Sequence, residues 1–178
     1  MTGTALYKTD ERVLVEDEKY VVREMLLTPQ KVVFLWEHVR SHRTLFSDLT
    51  RDNFPNFLRY LVEGYSMWME ILIGDELIGI ACFTHLERVI DTDVHMLFFD
   101  RDLADKANIG KKIVKWMFAN FPLQRMTVET PRFYYATIRL AKEIGFKWEG
   151  EKVRAALISG RWSSLFILGL TRLEADKL

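Results

Sequence analysis

The fold is decided by residues 93–146, which read DVHMLFFDRDLADKANIGKKIVKWMFANFPLQRMTVETPRFYYATIRLAKEIGF. The segment opens on an almost wholly apolar run, Val94–Phe99, as expected for a strand that is covered on both faces. The changing periodicity of the rest predicts four further elements: a loop over residues 100–108, a helix over 109–121, a strand over 126–129 and a helix over about 134–144. This order predicts an α/β arrangement.

The first of these helices separates its residues by face. Apolar side chains recur at helical spacing at Ile109, Ile113, Trp116 and Met117, and lysines lie opposite them. Unpaired N–H groups and the positive end of the helix dipole point at whatever precedes residue 110. The sequence therefore predicts an anion-binding cradle at the start of this helix.

Composition narrows the class of protein. The 178 residues suffice for one domain over 1–178, and we expect an additional N-terminal hairpin within 1–25. Twenty-five basic residues balance 25 acidic ones, so no global charge recruits nucleic acid or a membrane. The single cysteine, Cys82, excludes an intrachain disulfide and a cysteine metal cluster. No apolar run is as long as a membrane span and no signal peptide is evident, so we expect a cytoplasmic protein.

The remaining elements follow from turn and cap signals. Gly145 before Phe146 is typical of a left-handed helix end. The other predictions are a hairpin of residues 12–15 and 20–23, helices over 28–42 and 52–64, a hairpin of residues 67–73 and 77–83, and two strands within 152–172 around Ser159-Gly160-Arg161.

The order and spacing of elements over roughly residues 67–171 resemble the core of the GCN5-related N-acetyltransferases. In that family a loop with the pattern Gln/Arg-x-x-Gly-x-Gly/Ala wraps the pyrophosphate of acetyl-CoA. Here the six positions are Asp105-Lys106-Ala107-Asn108-Ile109-Gly110, of which the last matches. The end of the second helix, Lys142-Glu143-Ile144-Gly145-Phe146 followed by Glu149-Gly150, resembles the close of the protein- and antibiotic-modifying branches.

The resemblance implies a fold of the acyl-CoA N-acyltransferase type, a mixed, mostly antiparallel central sheet flanked by helices. It also implies acetyl-CoA as co-substrate. The backbone N–H groups of Leu97, Phe98 and Phe99 would hold the thioester, and Tyr134 stands where an asparagine of the family commonly contacts CoA. The pyrophosphate would lie at the helix start, whose residues are Lys106, Ala107, Asn108, Ile109, Gly110 and Lys111.

The proton-transfer groups stay open among several residues. Glu70 ranks first as general base, because a lone carboxylate in an apolar strand is costly to bury without a purpose or a partner. The alternatives are Asp91, Asp93 and His95, which enter or lie within the central strand. For the general acid, many family members place a tyrosine four residues before the Gly-Phe pair, where this chain has Ala141. Tyr134 and Tyr135 lie two turns earlier, and Tyr134 is the candidate acid.

Other chemistries fit less well. A P-loop requires a glycine where the chain has Asp105 and a hydroxyl residue where it has Lys112. His38 and His42 have the spacing of a metal-binding pair, but no third ligand is evident, so we expect no metal site.

Three interpretations remain as alternatives. The first is an acetyl-CoA-dependent N-acetyltransferase that acts on a protein or small-molecule amine by direct transfer. The second is a non-catalytic binding protein of the same fold with a degenerate CoA loop. The third is an unrelated α/β structural domain in which the lysines of the helix lie on the surface without a ligand. The expected partners are an acyl-CoA and an amine acceptor, with a homodimer as an open alternative to a monomer.

Overall fold

The computed structural model describes residues 12–41, 47–51, 53–62, 66–86, 90–100 and 102–178. These residues form one eight-stranded sheet and the helices that cover it. The strands are β1 Val13–Glu16, β2 Val21–Glu24, β3 Met67–Ile73, β4 Glu76–Thr84, β5 Asp91–Phe98, β6 Arg125–Pro131, β7 Lys147–Ile158 and β8 Arg161–Thr171. The helices are α1 Pro29–Ser41, α2 Asp48–Arg51, α3 Phe54–Val62, α4 Lys106–Asn120, α5 Tyr135–Ile144 and α6 Arg172–Ala175.

The sheet is mixed and mostly antiparallel, which confirms the predicted fold class. Its strands follow the order β1-β2-β3-β4-β5-β6-β8-β7. The pairing of β5 with β6 is parallel, and the other neighbouring pairs are antiparallel. A parallel pair needs a crossover connection, and α4 supplies it. The predicted N-terminal hairpin is β1–β2, which extends this sheet through β3.

Each face of the sheet carries its own hydrophobic core. The larger core lies on the side of α4 and α5, and the smaller one lies on the side of α1 and α3. Strand β5 contributes to both because its side chains alternate between the faces. Met96 and Phe98 pack on the larger core, and Leu97 packs on the smaller, as does Phe99 directly after the strand. The prediction of a strand covered on both faces is confirmed.

The structure corrects the start of α4. Asp105 adopts a left-handed conformation (φ 73°) as the N-cap, and its carbonyl accepts the N–H of Ile109 at 3.0 Å. The helix therefore begins at Lys106, three residues earlier than predicted. Residues 106–108, assigned to a loop from the sequence, form the first helical turn.

Other boundaries differ by a few residues. Strand β5 begins at Asp91, because the polar residues before Val94 pair with β6. The helix predicted over 52–64 corresponds to α3, Phe54–Val62, and the carbonyl of Asn53 accepts the N–H of Phe57 at its start. The short helix α2 before it was not predicted. His42 and Gly64 lie outside the described residues.

The end of α5 confirms the glycine prediction. Gly145 has a φ of 126°, and its N–H bonds to the carbonyls of Ala141 and Lys142. Within the described part of the chain, no helix has the length and apolar character that crossing a membrane requires.

Candidate functional site

Strands β5 and β6 pair for only a short distance. Their parallel register covers Asp91–Asp93 against Arg125–Thr127. Beyond this point β5 continues beside β4, while β6 continues beside β8 as far as Pro131. The two strands therefore diverge in the middle of the sheet, and we call the space between them the gap.

A cleft of about 520 Å³ passes through the gap. Its first part, the helix half, is lined by α1, α2, α3 and the sheet face that they cover; these residues are Leu35, His38, Ser47, Thr50, Phe57, Tyr60, Leu61, Trp68, Ile80, Cys82, His95, Leu97 and Phe99. Its second part, the gap half, is lined by β6, α5 and their neighbours; these residues include Val94, Met96, Val128, Glu129, Thr130, Pro131, Tyr134, Thr137, Leu140 and Ala141. The β7–β8 hairpin closes one side through residues 155–158, Trp162 and Leu165.

The backbone of β5 presents only alternate residues to the gap. The N–H of Phe99 donates to the carbonyl of Ile78 at 2.9 Å and so faces β4. By the alternation of an antiparallel ladder, Leu97 also faces β4, opposite Ile80, whereas Met96 and Phe98 face the gap. The expectation of free N–H groups at Leu97 and Phe99 is therefore wrong, although both side chains line the helix half. Phe98 keeps its predicted orientation, and Met96 is a backbone donor that sequence reasoning missed.

His95 lies at the centre of the cleft. Its side chain is accessible from the cleft, and partial desolvation by the surrounding walls lowers its pKa to about 4. The carboxylate of Glu129, across the gap, acts in the opposite direction and raises the pKa. The imidazole is therefore neutral at pH 7, with one ring nitrogen able to accept a proton.

Glu129 is a site residue that sequence reasoning missed. It lies on β6 opposite Ile167 and lines the gap half. Lys152 of β7 donates to its Oε1, and the side chain keeps 28% of its surface exposed. Only the parallel pairing of β5 with β6, invisible in the linear sequence, brings this carboxylate near His95.

Two further groups surround His95 in the helix half. The ring of Tyr60 meets the imidazole edge-on with 5.8 Å between centroids, and desolvation by burial raises the pKa of Tyr60 well above its usual value. Cys82 is the register partner of His95, and burial raises the pKa of its thiol. Cys82 is therefore held as a thiol, which is the unreactive form.

Tyr134 lies on the opposite side of the gap. It is the N-cap residue of α5, its N–H donates to the carbonyl of Pro131 at 2.9 Å, and its ring packs on Phe133. The residue lines the gap half, so the structure brings the candidate acid and His95 to one cleft.

The other candidate bases lie elsewhere. Glu70 is completely buried on the face that α1 covers, and its Oε2 lies 3.0 Å from Nζ of Lys31. Glu70 therefore has a partner for its buried charge. It is not among the described residues that line the cleft. Asp93 also lies outside that lining, 3.9 Å from Nε2 of His85.

The start of α4 lies on the opposite face of the sheet from α1 and α3. Its first-turn amides belong to Lys106, Ala107 and Asn108, and Nδ2 of Asn108 donates to the carboxylate of Asp105 at 3.3 Å. Ile109 is buried in the core, and Lys111 is half-buried.

Gly110 faces the protein interior. A Cβ atom there would come within 2.4 Å of Cδ1 of Ile144 and 3.5 Å of Sδ of Met96. The residue therefore allows α4 to pack closely against α5, a different reason for glycine from the pyrophosphate contact expected from the sequence.

A bridge joins the two walls of the cleft near the helix half. The carboxylate of Asp48 accepts the N–H of Ser159 at 2.7 Å and that of Gly160 at 2.6 Å. The neighbours of these residues, Ser47 on one side and Ile158 on the other, line the cleft. The tip of the β7–β8 hairpin is thereby fixed to α2. Among the described residues, no group of three or more His, Cys, Asp or Glu side chains could hold a metal ion.

Solved structures share this architecture. The chain superposes on the crystal structure of spermidine N-acetyltransferase from Vibrio cholerae in complex with CoA and spermine with a TM-score of 0.74, at 12% identity, over 90% of this chain and 99% of that chain. It superposes on a probable acetyltransferase with a TM-score of 0.67, at 18% identity, over 89% and 96% of the two chains. No protein-family model and no curated protein matches the sequence. At these identities the likeness establishes the fold.

Proposed function

We propose that this chain, whose fold is that of the GCN5-related N-acetyltransferases, is an acetyl-CoA-dependent N-acetyltransferase that acts on an amine by direct transfer. The observation that carries the proposal is the gap between β5 and β6, through which the cleft passes. Backbone N–H groups that face such a gap can hold and polarise a thioester carbonyl in a partly dry site.

The described residues fit an acyl-CoA as co-substrate. Met96 and Phe98 offer backbone groups to the gap, and the first turn of α4 offers N–H groups and a dipole to the phosphates. Lys106 and Lys111 add positive charge on the same helix.

Proton transfer is assigned to groups that meet in the cleft. The amine nitrogen forms a bond to the thioester carbonyl carbon, the C–S bond breaks, the nitrogen loses a proton and the sulfur gains one. Neutral His95 accepts the proton from nitrogen, and the nearby charge of Glu129 stabilises the resulting imidazolium. Tyr134 donates to the leaving sulfur. A covalent intermediate on Cys82 is disfavoured because its thiol is buried with a raised pKa.

The alternative, a non-catalytic binding protein, is favoured by one observation. Asp105 occupies the N-cap of α4, where the related loop pattern has glutamine or arginine, and its carboxylate remains at the helix start. A negative charge there repels phosphate groups and weakens the binding of an acyl-CoA.

Calorimetry with acetyl-CoA and release of the CoA thiol in the presence of mixed amines separate the two functions. If the chain is an N-acetyltransferase, acetyl-CoA binds and the CoA thiol is released only when an amine is present. The proposed function also predicts that His95→Gln lowers kcat by about 100-fold or more at unchanged acetyl-CoA affinity. Arg139→Gln is the control, since Arg139 is exposed on α5 and is not part of the described cleft lining. Binding without amine-dependent release supports the alternative, and failure to bind at millimolar acetyl-CoA refutes the proposed enzyme.

A cytoplasmic location, a homodimer, a single domain over 1–178 and the lack of nucleic-acid binding stay predictions from the sequence.

A further inference from the structure

We infer that the acceptor is a small monoamine with an aromatic body, rather than a polyamine or a protein side chain. This inference rests on the proposed function and specifies the substrate class of the same site. It comes from the chemistry of the helix half, the part of the cleft that lies on the α1 and α3 side of His95.

The helix half is rich in aromatic rings. His38, Phe57, Tyr60, Trp68 and Phe99 all contribute to its lining. Two of them form a continuous wall: the rings of His38 and Phe99 lie 4.7 Å apart, centroid to centroid. Rings at these spacings favour an aromatic ligand through offset or edge-on contacts.

The same surface carries little charge. None of the described residues that line the helix half has a carboxylate, and Glu129 of the gap half is the one carboxylate in the described cleft lining. His95 is neutral at pH 7 because the cleft walls lower its pKa to about 4. Glu129 is already paired with Lys152, so it can attract at most one ammonium group of an acceptor, and aromatic faces can accommodate that group. A polyamine would place further ammonium groups on apolar walls, which is costly when they lack counter-charges.

The shape of the cleft limits the size of the acceptor. A volume of about 520 Å³ lies within the range of small-molecule pockets and must also receive the end of the co-substrate. The bonds from Ser159 and Gly160 to Asp48 hold the hairpin tip against α2 at the border of the helix half. This bridge narrows the border of the helix half, which favours a small acceptor over a folded protein.

Steady-state kinetics with acetyl-CoA and three amines test the inference: 2-phenylethylamine, spermidine and a lysine-containing peptide. We expect kcat/KM for 2-phenylethylamine to exceed that for each of the other two by at least about tenfold. Higher kcat/KM for spermidine or the peptide overturns the inference and leaves the proposed function intact. No transfer to any amine overturns the proposed function, and the inference with it.

A variant tests the aromatic wall directly. In Phe99→Ala the ratio of kcat/KM for 2-phenylethylamine to that for propylamine should fall by about 3- to 10-fold, as the loss of an aromatic contact implies. The ratio is measured within one protein, so partial unfolding does not affect it. Tyr135→Ala, which removes an exposed ring that is not part of the described cleft lining, should leave the ratio unchanged. An unchanged ratio in Phe99→Ala, or an equal fall in Tyr135→Ala, overturns the inference.

Discussion

Replacing Gly110 with alanine tests whether this glycine serves helix packing. The added Cβ would lie 2.4 Å from Cδ1 and 2.8 Å from Cγ1 of Ile144, closer than real carbon contacts allow. Ile144 is 3% exposed and belongs to the larger core, so its side chain has little room to move away. We therefore expect Gly110→Ala to separate α4 from α5 or to force Ile144 out of its rotamer.

Two opposing effects determine how much Gly110→Ala changes the free energy of unfolding. Overpacking a core by about one methyl group costs ~1–3 kcal/mol. Replacing glycine with alanine within a helix recovers about 1 kcal/mol of helix propensity. The net expectation for Gly110→Ala is a loss of ~1 kcal/mol in the free energy of unfolding.

Urea denaturation of the natural protein, Gly110→Ala, Ile144→Val and the double variant isolates the contact between residues 110 and 144. Ile144→Val removes Cδ1, the nearest atom, and alone should cost ~0.5–1.5 kcal/mol. In the double variant the combined loss should be smaller than the sum of the single losses by about 1 kcal/mol. Gly150→Ala is the control, because a Cβ at Gly150 meets no atom within 4 Å. Strict additivity, or a Gly110→Ala variant more stable than the natural protein, would show that the packing argument is wrong.

Three further predictions concern charged groups. Lys31→Met leaves the carboxylate of Glu70 buried without its lysine, so the free energy of unfolding measured in urea should fall by ~3–5 kcal/mol. A loss below about 1 kcal/mol would show that the pair contributes little to stability. His95 has a native pKa of about 4, below its ordinary 6.5, so its contribution to stability is complete above pH 6.5 and is lost as the pH falls towards 4. Urea midpoints at pH 7 and pH 5 should therefore differ less in His95→Gln than in the natural protein, and equal differences would refute the assigned pKa shift. Asp105→Asn removes a negative charge from the start of α4, so the calorimetric affinity for acetyl-CoA should increase by about 2- to 10-fold at low salt. An unchanged affinity would mean that the phosphates bind elsewhere.

Local signals in the sequence predicted much of the fold. The apolar run of β5, the face of α4 with Ile109 and Ile113, and the left-handed end of α5 at Gly145 all depend on residues close in the chain. The start of α4 was misplaced because an aspartate with positive φ, rather than a glycine, ends the preceding loop.

The site was harder to predict because it depends on distant pairings. Glu70 has the burial that its apolar strand implied, but its partner Lys31 lies 39 residues away on α1. Glu129 reaches the vicinity of His95 only through the parallel pairing of two strands that α4 separates. The orientation of the Met96 and Phe98 backbones likewise follows from the register of β5 against β4, which the apolar run alone does not reveal.

The crystal structure of this protein in complex with CoA tests the central claim, that the gap between β5 and β6 binds an acyl-CoA. We predict that the pantetheine arm lies in the gap, bonded to the backbone of Met96 or Phe98, with the pyrophosphate at the first turn of α4. A complex with CoA bound elsewhere, or crystals grown at millimolar CoA whose gap holds only solvent, would contradict the account.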